Sequence, residues 1–202
     1  ILTLSAANVY TGITTVNNTG TLRYGIANAL AEGAVTIVGG TYDLNGYSDT
    51  IGALSMTGGS VMTGAGTLIL GENVTGNAAS TSATVSGNID MGSTARTFTI
   101  ASTSGLNDMV ISAIVSSSLG AYGITKAGAG TLVLSGANTC TGLTTVSAGV
   151  LNIQNAAATG TADAGVSVSS GAVLQLQGGI TLGAEVLTIT GTGISNTGAL
   201  RS

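Results

Sequence analysis

Histidine, tryptophan and proline are absent from this chain, and cysteine occurs once. Without histidine there is no imidazole base, no Ser-His triad and no histidine metal site. One cysteine, Cys140, closes no intrachain disulfide and builds no cysteine zinc cluster. It reads as a small apolar filler, with a link between two chains as the alternative role for a lone thiol. The absence of proline suits strands whose every N–H is used in a ladder. Charged residues are only 6% of the chain and aromatic residues 3%, where ordinary domains carry about 25% charged. The four basic residues, Arg23, Arg96, Lys126 and Arg201, are far apart, and the net charge is −4. No basic run is present to hold nucleic acid. No apolar run approaches the roughly 18 residues of a membrane-spanning helix. Disorder is disfavoured as well, because 44% of the chain is hydrophobic.

What the chain does have is repetition. Residues 2–16 read LTLSAANVYTGITTV and residues 132–146 read LVLSGANTCTGLTTV, with ten of the fifteen positions identical at a constant offset of 130. Residues 64–70 (GAGTLIL) recur at 128–134 (GAGTLVL), differing only at Ile69 and Val133. Weaker echoes link 41–46 to 173–178 and 54–58 to 187–191. The 202 residues thus read as one solenoid, with repeat modules at about 1–63 and 128–198 and a looser middle at 64–127. The weakest strand signals fall in 71–104.

Short alternating apolar and polar runs, bounded by Gly or Asn, mark strands. They fall at 13–16, 35–38, 51–56, 67–70, 97–100, 109–115, 131–134, 143–146, 150–153, 166–168, 173–176 and 186–190. The best helical candidate, 26–32, is short enough to be a turn. Few aromatics and many small β-branched residues fit a narrow, layered interior rather than a wide sandwich core. Each strand pairs with its equivalent one coil above and below, and ladders of Thr, Ser and Asn stack at the turns. The expected architecture is an all-β parallel β-solenoid. Coils of roughly 20–25 residues give eight to ten of them. Alternation turns Leu132, Leu134, Val146 and Leu151 inward, and with them Leu2, Leu4, Val16 and Leu22 of the first copy.

Residues 124–151, with their Gly-Ala-Gly-Thr-Leu strand, Ser-Gly-Ala-Asn turn and Thr-Thr-Val strand, resemble the passenger-associated strand repeat of bacterial autotransporters. Residues 2–22 look like a second copy lacking its first few residues, and 41–58 are similar to the segment that often follows. The resemblance implies a right-handed parallel β-helix on a secreted or surface-displayed protein. Cys140 stands where the repeat usually has an aromatic residue.

Neither Gly-Ala-Gly-Thr segment completes a nucleotide-binding pattern, and both read as tight turns into a strand. The sequence points to no catalytic residue, no metal ligand and no cofactor. The eight acids, Glu32, Asp43, Asp49, Glu72, Asp90, Asp108, Asp163 and Glu185, form no adjacent pair of the kind glycan cleavage uses. Asp43 and Asp49 are the closest two and read as solvated corner residues. Tyr42 and Tyr47 with Asp43 and Asp49 make the best available binding patch, against packing between coils as the plainer role for the tyrosines.

The function expected is a non-enzymatic structural or adhesive element at a bacterial surface. The alternative is a glycan-binding or glycan-cleaving β-helix. Ile1 falls inside a repeat, as does the Thr197–Leu200 end, so a piece of a longer precursor or a fibre subunit is expected. Its partners would be further copies of itself or flanking chain, stacked end to end, with host or matrix glycans or proteins as further candidates.

Overall fold

A computed structural model describes residues 1–103, 107–161 and 165–202. Its strands form two sheets, one of twelve strands and one of nine, and every ladder between named strands is parallel. Nine rungs in the second sheet correspond to nine coils. At about 4.8 Å per coil the stack is roughly 40 Å long. The fold is a parallel β-solenoid, as the repeat predicts.

The pairing register shows how the sequence makes coils. Partners lie as few as 19 residues apart, as from Tyr42 to Val61, and as many as 28, as from Phe98 to Lys126. Leu2 and Leu132, which match at an offset of 130, sit six ladder steps apart in the first sheet. One inward column of that sheet runs Leu22, Tyr42, Val61, Val85, Ile111, Leu134 and Ile153, each in register with the next and each buried. Period-two side-chain direction puts such residues on one face, and removing their apolar area from water supplies the main driving force.

The first sheet bends round a corner. Ser60–Leu70 and Ala83–Asp90 are long enough to cross it. Their second halves pair with the short strands Asp49–Ile51 and Ile114–Ser116. Each coil then crosses to the second sheet. There the outward positions carry hydroxyls in register: Thr97, Thr125, Thr145, Ser167 and Thr188 form one column. The polar ladders expected at turns therefore also line a sheet face, where they cover the strand in place of charge.

Leu132, Leu134, Val146 and Leu151 are buried as expected, and so are Val16 and Leu22. Leu2 is not: it is 64% exposed, because no coil lies beneath it. The segments 51–56 and 109–115 each divide into two strands at a corner. Gly64–Gly66 lies within the strand Ser60–Leu70 rather than forming a turn into it. The segment 71–104 carries three strands, Val74–Gly76, Ala83–Asp90 and Arg96–Ile100, and ladder pairing continues unbroken through 64–127. Residues 26–32 form turns and bends, and Ile194–Asn196 is a single 3-10 turn.

Candidate functional site

Tyr42 and Asp49 come together, but inside the solenoid. Both are buried, with Tyr24 beside them on the strand of the preceding coil. The Tyr24 hydroxyl donates to Asp49 Oδ2 at 2.5 Å. A phenol has one proton to give, so the Tyr42 hydroxyl is the donor in its 2.5 Å bond to Tyr24. The two rings meet edge to face, with centroids 5.5 Å apart. Asp49 also accepts from the Leu30 N–H at 3.1 Å and the Thr50 N–H at 2.8 Å. Burial, with Tyr42 and Asp49 alongside, pushes the Tyr24 phenol far above its ordinary value, and burial does the same to Tyr42. The cluster locks neighbouring coils together and offers no reactive group to solvent.

Asp43 lies next to this cluster and is 6% exposed. It pairs with Arg23 at 2.8 Å, one coil away, and accepts the Asn45 N–H at 2.8 Å. Asp43 and Asp49 are thus not solvated corner residues; each carboxylate is held by donors from a neighbouring coil. Tyr47 remains partly exposed at the corner. Of the four patch residues it is the one a ligand can reach freely.

Cys140 is buried and its thiol is free, pushed up to about 11 by burial. It fills the interior where Tyr10 of the first copy is 45% exposed. A buried thiol cannot reach a second chain without opening the coil. Lys126 was not singled out by the sequence pattern, yet its ammonium is fully buried. Its Nζ donates to the carbonyls of Ala127, Gly128 and Ala148 at 2.8–3.0 Å. These three bonds use all three protons of an ammonium.

Among the described residues no group of three or more His, Cys, Asp or Glu is placed to hold a metal ion. Asp163 lies outside the described residues. No described helix is long and apolar enough to cross a membrane.

The first coil is apolar and open. Ile1, Leu2, Val9, Tyr10 and Ile13 are exposed there, over a cleft of about 240 Å³. Of the matching residues in the second copy, Leu132 and Cys140 are buried while Thr139 and Leu143 stay exposed, with the strands Met109–Ile111 and Gly149–Ile153 on either side of Thr131–Leu134.

Comparison with known proteins accounts for the repeat. The family model described as passenger-associated-transport-repeat matches residues 1–23 and 124–153. These segments contain residues 2–22 and 124–151, which carry the resemblance in sequence. An autotransporter adhesin of Brucella suis biovar 1 (strain 1330), named adhesin BmaC autotransporter, is 35% identical over 169 residues, covering 79% of this chain. The chain spans 4% of that relative's length. No solved structure matches the chain.

Proposed function

We propose that this chain, which carries the passenger-associated-transport repeat twice, is a non-enzymatic stalk and adhesive segment of a bacterial protein displayed at the cell surface. The observation that carries the reading is the pair of matched repeats, built into one unbroken solenoid. The adhesin relative supports the same setting. A solenoid with an uncharged hydroxyl-rich face and a continuous apolar interior suits an extended scaffold that holds binding surfaces away from a cell.

Its first partner is more solenoid. The first copy leaves Leu2 exposed where the second copy buries Leu132. A coil from flanking chain or from another copy, stacked end to end, covers Leu2 by adding a strand to the open edge.

Beads coated with the purified chain test the adhesive reading. They are expected to be retained on cultured cells or extracellular matrix more than beads coated with heat-unfolded chain. Equal retention would overturn it. Incubation with a polysaccharide panel is expected to release no reducing ends; release abolished by Asp43→Asn or Asp49→Asn would overturn the non-enzymatic part.

A further inference from the structure

The edge where the first sheet hands over to the second changes along the axis. Its corners are short at 52–53 and 71–73 and longer at 91–95 and 117–123. Where short corners give way to long ones the edge is notched. Two clefts of about 430 Å³ each lie there, one lined by Glu32, Ser93 and Leu119, the other by Glu72, Thr94 and Thr97. Arg96 lines both.

Arg96 is only 5% exposed, and among the described residues no carboxylate lies within 4.0 Å of it. Its Nε donates to the Met91 carbonyl at 2.7 Å and its Nη2 to the Leu70 carbonyl at 2.5 Å. A guanidinium has five N–H donors. Three are therefore without a protein acceptor among the described residues. Nη1 is not sealed off but opens to the notch, and Glu72 is the charge that offsets the burial of the guanidinium. Gly92 keeps the approach bare: a Cβ there would stand 3.1 Å from Nη2.

The surroundings select the anion. Glu32 and Glu72 are exposed at the two clefts. Their charge repels a dianion such as phosphate about twice as strongly as a singly charged carboxylate, while their oxygens accept bonds from hydroxyls. Leu119, 69% exposed, supplies an apolar wall. One carboxylate flanked by ring hydroxyls satisfies all three features. We infer that the notch binds a carboxylated sugar residue of a glycan, its carboxylate on Arg96 and its hydroxyls on Glu32 and Glu72. This gives the adhesive reading a ligand class and rests on it.

The test is calorimetric titration of the chain with an oligogalacturonate, with its methyl ester, and with inorganic phosphate. The oligogalacturonate is expected to bind, and the ester about tenfold or more weakly, as one charge-assisted pair is worth. Arg96→Gln is expected to abolish the difference. Because that variant removes a buried hydrogen-bonded group, amide shifts of Ser93, Thr94 and Thr97 in the parent give a second readout. They should move with the acid at concentrations about tenfold or more below those at which the ester moves them. Equal binding of acid and ester, no binding of either, or preference for phosphate would overturn the site. If beads still adhere in any of those cases, the adhesive reading stands and the notch falls.

Discussion

Lys126 sits in an inward rung, in register with Phe98 on one side and Val146 on the other. Burial lowers its pKa to about 8 from 10.5, against a smaller opposing pull from Asp108. Below pH 8 folded and unfolded chains are both protonated and the group adds no pH dependence. Between pH 8 and 10.5 the unfolded chain binds more protons, so stability is gained as pH rises. Cys140 works the other way above pH 9, because its folded pKa is raised to about 11. In a Cys140→Ala background, denaturant unfolding of the parent should therefore gain on Lys126→Met across pH 8 to 10.5. A flat difference would contradict the buried ammonium. The sequence shows Lys126 as one of four scattered cations; its burial depends on carbonyls from residues 127, 128 and 148, which only the coil brings together. The repeat supplies a sharper residue-scale test. Leu2 and Leu132 are equivalent in sequence but 64% and 0% exposed. Leu132→Ala is expected to cost about 2–5 kcal/mol, and Leu2→Ala less than about 1 kcal/mol. Equal costs in urea unfolding would show that Leu2 is covered in solution.

Strands were legible where burial alternates cleanly, as in Leu54, Ser55, Met56 and Thr57, whose first and third residues are buried. Corners were less so. Ile51-Gly52-Ala53-Leu54 is apolar throughout and carries only one glycine, so nothing in the run marks two strands. Ala83–Asp90 was hidden because its outward residues are Thr, Ser, Gly and Asn, the residues that signal loops. The register shift opposite Gly87 adds to the irregularity. The site was legible in composition and misread in place. Tyr42, Asp43 and Asp49 do converge, but Tyr24 and Arg23, one coil away, draw them inward. Tyr24→Phe removes a donor from Asp49 and the acceptor from Tyr42, and should cost about 1–3 kcal/mol. A neutral result in thermal unfolding would deny that this cluster ties its coils. Glycine at corners is tested by Gly149, which has φ +69 and packs against the 128–130 corner. Gly149→Ala is expected to destabilise by more than Gly171→Ala, where φ is +79 but nothing lies within 4 Å. Comparable losses would mean that backbone strain alone decides.

At the scale of the molecule, repetition was the most informative signal, because an offset of 130 over six ladder steps fixes the coil size. The notch around Arg96 was invisible in the sequence, since its walls come from residues as distant as Glu32 and Leu119. It exists only because unequal coils are stacked. The central claim is that the whole chain is one continuous parallel solenoid with in-register coils. Nitroxide labels at Thr36→Cys and Thr188→Cys, in a Cys140→Ala background, test it by electron spin resonance. Both positions point outward on the second sheet, seven ladder steps apart. At about 4.8 Å per step the labels should be separated by roughly 34 Å, with a single narrow distribution. A broad distribution, or a mean shorter by several coils, would contradict a continuous solenoid.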